Sequence, residues 1–169
     1  QTLKQIEAEG RQARPDEQEI LSRYVGWGGI SQAFDEENTQ WSEEYRQLKE
    51  LLTEKEYDAA RSSTLNAHYT SPTVIRAMYD AIEKMGFRTG NVLEPSCGVG
   101  NFFGMLPDDM SGSRLYGVEL DSITGRIARQ LYPDARITIS GFEKTQRRDF
   151  FDLAIGNVPF GGYKVSDKQ

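Results

Sequence analysis

Leu93-Glu94-Pro95-Ser96-Cys97-Gly98-Val99-Gly100-Asn101-Phe102 closes the short apolar run Asn91 to Glu94 and leads into a helical stretch over residues 101–106. A strand, a turn carrying Gly98 and Gly100, and a helix start form the arrangement in which backbone comes close to a ligand, because side chains at the glycine positions would block it. Dinucleotide sites read G-x-G-x-x-G into a helix N-terminus that receives a pyrophosphate. Here the third position is Phe103, and an acid, Glu94, precedes the turn. An acid suits a cationic ligand better than a diphosphate.

Outward from this loop, residues 115–120, 136–139 and 151–156 are further short apolar runs bounded by Gly, Pro or charged residues. Residues 122–131 read as a helix between the second and third. Upstream, Ser71-Pro72 offers an N-cap and an N1 proline. Val74, Ile75, Met78, Ala81, Ile82 and Met85 then recur at helical spacing until Gly86. Strands alternating with helices imply right-handed crossovers and a parallel sheet. The expected fold is α/β, a Rossmann-like sheet of about four parallel strands with an N-terminal helical segment. Such sheets usually continue beyond four strands, so the natural domain is expected to run past Gln169, leaving the fourth strand as an edge.

Residues 1–63 carry a helical, polar pattern interrupted by Gly26-Trp27-Gly28-Gly29. Pro15 with Asp16 and Glu17 reads as a helix start with acids at the positive end of the dipole. Residues 41–52 place Tyr45, Leu48, Leu51 and Leu52 on one face, and Thr53-Glu54-Lys55-Glu56 is a capping-box candidate. The division expected is a helical lead-in over 1–63 and an α/β unit over 64–169. Trp27 and Trp41 read as hydrophobic anchors between the two, and Arg147-Arg148 as a solvated pair.

In this chain of 169 residues, 37% are hydrophobic and 11% aromatic, which allows a real core. A charged fraction of 27% and a mean hydropathy of -0.62 indicate a well-solvated surface. Residues 1–63 hold 8 Lys/Arg against 14 Asp/Glu, whereas residues 64–169 hold 12 of each, so the acidity belongs to the first third. A pI near 4.9 argues against an unaided grip on a phosphate backbone, since that affinity comes from Lys and Arg displacing counterions. Any DNA would be held by regions outside this chain. One cysteine, Cys97, excludes an internal disulfide, and a single histidine, His68, leaves no Cys/His cluster for a metal. No apolar window approaches a membrane span, so a cytoplasmic protein without membrane contact is expected. A start at Gln1 rather than Met points to a fragment.

Val118-Glu119-Leu120-Asp121 ends the second apolar run with a carboxylate about twenty residues beyond the glycines, where an acid accepts hydrogen bonds from ribose hydroxyls. Glycine loop and acid together indicate an adenosine-containing cofactor, without separating S-adenosylmethionine from NAD. Gly156-Asn157-Val158-Pro159-Phe160-Gly161 separates them. The exocyclic amine of adenine is a poor nucleophile because its lone pair is conjugated with the ring. Acceptors on both N–H groups favour a pyramidal nitrogen, and Asn157 Oδ1 with the carbonyl of Val158 or Pro159 could supply them. Phe160 would stack on the extruded base. The plainer alternative is a turn with Phe160 in a local core. A nucleophile reading of Cys97 lacks a paired base, and His68 reads as a loop residue.

On these residues the chain resembles the cofactor-binding half of N6-adenine DNA methyltransferases of the gamma arrangement, over residues 64–163. Ala67-His68-Tyr69-Thr70-Ser71-Pro72 resembles the family's Y-T-x-P motif, Glu94 to Phe102 its D/E-P-x-x-G-x-G-x-F loop, Glu119 its ribose carboxylate and Asn157 to Phe160 its N-P-P-F/Y signature. The resemblance implies S-adenosylmethionine as cofactor, held by Tyr69, Thr70, Glu94, Pro95, Gly98, Gly100, Asn101 and Glu119, with Asn157, Pro159 and Phe160 on the target base and no metal. Val158 replaces the usual first proline. Phe142 stands where an Asp normally binds the adenine amine, so either Glu143 substitutes or Phe142 packs. Tyr24-Val25-Gly26-Trp27-Gly28-Gly29-Ile30, combined with Gly156-Asn157-Val158-Pro159-Phe160-Gly161, is similar to large phage and mobile-element proteins that join such a methylase to a helicase-like region. This implies a helicase-like or target-recognition partner region in the same protein. The competing expectations are a non-catalytic binding module and, less favoured, an NAD-dependent oxidoreductase.

Overall fold

The computed structural model of the chain describes residues 1–64 and 69–158. Four helices come first: α1 (Thr2–Ala8), α2 (Pro15–Ser22), α3 (Ser42–Leu51) and α4 (Glu54–Ser63). Then follow α5 (Pro72–Lys84), β1 (Asn91–Glu94), α6 (Asn101–Gly104), β2 (Arg114–Glu119), α7 (Ser122–Leu131), β3 (Arg136–Ile139) and β4 (Leu153–Ala154). The four strands form one parallel sheet in the order β3-β2-β1-β4.

Local chemistry sets the boundaries. Ser71 accepts the Val74 N–H at the start of α5, with Pro72 in its first turn. At α4, Thr53 and Glu56 form a reciprocal capping box. The helix after the glycine loop stops at Gly104, two residues short of the expected 106, because Pro107 disfavours helical backbone at Leu106. β4 is also shorter than residues 151–156. Asp152 N–H and Ile155 N–H donate to Asn91 O and Leu93 O, both at 2.9 Å. Phe150 and Phe151 leave the strand to pack on Tyr116, with ring centroids 5.2 and 5.4 Å away.

The sheet's two faces follow the alternation of β1. Val92 packs with Ile75, Tyr79 and Ile82 of α5 and with Phe102, Met110 and Ile155. Leu93 faces the other way, with Tyr116 and Val118 beneath Phe150 and Phe151. Arg147 is not simply a solvated residue, since its guanidinium lies 4.4 Å from the Phe150 ring centroid, drawn by the quadrupole of an aromatic ring already anchored on Tyr116.

The N-terminal helices share a core with the sheet unit. Leu3, Ile6 and Leu21 cluster with Val99 of the glycine loop and with Ile123 and Ile127 of α7. Trp27 packs both there and in a second cluster around Phe34 and Tyr57, whereas Trp41 packs only in the second, within the helical segment. Glu56 ties three helices together, accepting from Lys4 Nζ at 2.7 Å and from Arg126 at 2.6 Å. No helix among the described residues is long and apolar enough to cross a membrane.

Candidate functional site

Strand β1 ends on Glu94, and the chain then turns through Gly98 and Gly100, whose φ values of 55° and 90° are left-handed conformations that disfavour any side chain. The loop is stitched to the neighbouring strand. Cys97 N–H donates to Val118 O at 2.9 Å, and Gly98 N–H donates to Glu119 Oε2 at 2.8 Å. The other carboxylate oxygen of Glu119 accepts the Asp121 N–H at 2.8 Å. Asp121 caps α7 by accepting the Ile123 N–H.

Gly100 and one further glycine, Gly117, each close against a partner and make this compact. A β-carbon on Gly100 would lie 2.6 Å from the Tyr132 ring, and one on Gly117 would lie 2.8 Å from Cys97 Sγ. Tyr132 was not legible as part of the site, because it stands some thirty residues from the glycine it covers.

Glu94 is 3% exposed, and its Oε2 is buried without a hydrogen-bond partner among the described residues. Burial pushes its carboxyl well above the usual range, and the nearby charge of Glu119 adds to the effect. Burial likewise raises Glu119, against the backbone N–H bonds that favour its charged form. Tyr69 keeps 37% of its surface exposed, yet burial of its hydroxyl pushes it up to about 12, with Glu119 and Asp121 adding. Its ring lies 3.7 Å from where a Gly98 β-carbon would stand. Burial pushes the Cys97 thiol up as well, so it stays protonated and a poor nucleophile.

The structure therefore gathers Tyr69, Glu94, Pro95, Gly98, Gly100 and Glu119 around one loop, with half-buried Asn101 opening α6 and half-buried Thr70 following Tyr69. Gly156 reaches the same place from β4, since a β-carbon on it would stand 3.3 Å from Pro95 Cδ and 3.4 Å from Glu94 Cγ. Asn157 and Val158 follow it, both exposed. Pro159 and Phe160, like His68, lie outside the described residues. Glu143 sits in the turn Phe142–Lys144 after β3, exposed and folded against Gly141, and Phe142 is also exposed rather than packed. The turn begins beside Glu119, whose carbonyl accepts the Ser140 N–H at 2.9 Å. Among the described residues, no group of three or more His, Cys, Asp and Glu side chains is placed to hold a metal ion.

No protein-family model matches the chain. It is 34% identical over 102 residues to the defense against restriction protein B of Escherichia phage P1, covering 59% of this chain and 4% of that protein. Over 79 residues it is 35% identical to a type II methyltransferase of Paramecium bursaria Chlorella virus XZ-6E, covering 46% of this chain and 21% of that protein. The chain thus spans a small part of the curated relatives it matches. Among solved structures, a TehB-like SAM-dependent methyltransferase from Corynebacterium glutamicum overlaps 47% of this chain and 43% of its own, at 28% identity and a TM-score of 0.39.

Proposed function

We propose that this chain is the cofactor-binding part of an S-adenosylmethionine-dependent methyltransferase acting on adenine N6 in DNA. In this reading residues 1–63 form a helical lead-in and residues 64–169 the cofactor-binding unit of a larger protein. Other regions of that protein, including a helicase-like or target-recognition part, would hold the nucleic acid.

The observation that carries the reading is the buried, unpartnered Oε2 of Glu94 at the tip of β1, beside a glycine turn clamped by a second carboxylate. A buried carboxyl of this kind asks for a cation or a strong donor, and the ammonium of a methionyl group meets that demand. A dinucleotide would bring a pyrophosphate to the same two carboxylates, where like charges repel. Glu119 keeps lone pairs for ribose hydroxyls after accepting Gly98 N–H and Asp121 N–H, because a carboxylate offers about four acceptor sites. The relationship to a type II methyltransferase adds to this support.

S-adenosylmethionine, when bound, supplies a methyl group activated by a sulfonium. Glu94 and the glycine turn bind and orient its charged end, and Glu119 fixes its ribose. Asn157 follows Gly156, which packs against Glu94 and Pro95, and its amide oxygen accepts from the adenine amine and raises the electron density on N6. Catalysis is then mostly positioning and polarisation.

Calorimetric titration tests the reading. S-adenosylhomocysteine should bind with measurable heat and raise the melting temperature, while NAD should not. No heat and no thermal shift at millimolar S-adenosylhomocysteine would favour an inert module instead.

A further inference from the structure

The turn Tyr24-Val25-Gly26-Trp27 belongs to the acidic N-terminal third, yet it reaches the acids at the end of β2. Buried Thr124 Oγ1 donates to Asp121 Oδ2 at 2.8 Å and lies 3.4 Å from the Tyr24 hydroxyl. A threonine hydroxyl has one proton, and the carboxylate is the stronger acceptor, so Tyr24 O–H is left to donate to Thr124. Asp121 passes the chain on, donating its N–H to Glu119 Oε1, and Glu119 Oε2 receives Gly98 N–H. One hydrogen-bonded path therefore joins Tyr24 to the glycine turn.

Packing fixes the start of that path. The Tyr24 ring meets Trp27 edge-on at 5.7 Å, and Trp27 meets Phe34 at 5.5 Å. Gly26, at φ 73°, gives the left-handed bend that lets the two rings turn toward each other. Burial raises the Tyr24 hydroxyl far above its ordinary range, with Asp121, Tyr69 and Glu119 nearby, so it remains a donor at any physiological pH.

We propose that Tyr24 is a positioning residue for the nucleoside, acting through Thr124 and Asp121 to set the Glu119 carboxylate that receives the ribose hydroxyls. The proposal rests on the S-adenosylmethionine reading of the site. It makes the N-terminal segment a working part of the pocket rather than a cover for apolar surface.

The test compares S-adenosylhomocysteine with its 2′-deoxy analogue by calorimetry on the whole chain, alongside melting temperatures. Tyr24→Phe keeps the ring and removes only the hydroxyl. It should weaken S-adenosylhomocysteine about fivefold, the worth of one net hydrogen bond, and weaken the 2′-deoxy analogue much less, so that the preference for ribose shrinks. Thr124→Val should do the same, and the double variant should lose no more than either single one, because both act through one path. Equal weakening of both ligands, additive losses, or unchanged affinity in Tyr24→Phe would each overturn the proposal while wild-type binding leaves the parent reading intact. If Tyr24→Phe also lowers the melting temperature, the ratio between the two ligands still decides. A wild-type chain that binds neither ligand removes the parent reading and this one together.

Discussion

Gly156 lies against Glu94, close enough that a β-carbon would stand 3.4 Å from Glu94 Cγ. The end of the edge strand and the end of the central strand therefore converge, although 62 positions separate the two residues. Asn157 follows directly in the chain, and a side chain at 156 would fit only tightly, its β-carbon 3.3 Å from Pro95 Cδ.

In the larger protein, Asn157→Ala should lower methyl transfer to adenine-containing DNA by about a hundredfold or more, the usual cost of one polarising group. Affinity for S-adenosylhomocysteine should stay within about twofold. Labelled-cofactor transfer and calorimetry read the two quantities separately, and a joint loss of both would count against this role.

Glu94→Gln should trade function for stability. The raised folded value of Glu94 means that its contribution is fully present below the ordinary 4.5 and is lost as pH rises through the folded value. At neutral pH the buried carboxyl therefore costs the fold stability that it does not cost in acid, and a neutral amide removes that cost. The variant should melt a few degrees higher at pH 7, a gain on the order of 1 kcal/mol, with the difference shrinking toward pH 4. Its affinity for S-adenosylhomocysteine should fall at least about tenfold. Thermal melts from pH 4 to 8 and calorimetry check both parts.

Gly100→Ala should destabilise the chain by about 1–3 kcal/mol, since φ 90° is strained for any L side chain and Tyr132 blocks the new methyl. Adding Tyr132→Leu should recover part of that loss, because the clash disappears while the backbone strain remains. Urea unfolding of the two variants measures the split.

Glu56 should govern acid stability. Burial opposes its ionisation, but hydrogen bonds from Lys4, Thr53 and Arg126 outweigh burial and hold the carboxyl at about 2. Its contribution is present above the ordinary 4.5 and is lost as pH falls toward 2. Glu56→Gln should therefore be less stable than wild type at pH 7, by about 2 kcal/mol, and should approach it near pH 2. Urea midpoints across that range show whether the curves converge.

Much of the fold was readable in one dimension because it rests on local chemistry. Ser71-Pro72, the Thr53 to Glu56 box and the apolar period of α5 each act within a few residues, and their elements appear where those signals stand. The Gly98 and Gly100 turn was readable for the same reason. The fourth strand was overextended because Phe151 is apolar in either place, and only the position of Tyr116 draws it out of the ladder.

The sequence by itself determined the alternation of strands and helices, the glycine turn and the two acids that end β1 and β2. These follow from backbone preference and short-range periodicity. The tertiary structure alone decided that Glu119 clamps Gly98, that Tyr132 covers Gly100 and that Tyr24 reaches Asp121 through Thr124. Each of these contacts joins residues some twenty to a hundred positions apart, and its energy exists only after packing has closed the intervening chain.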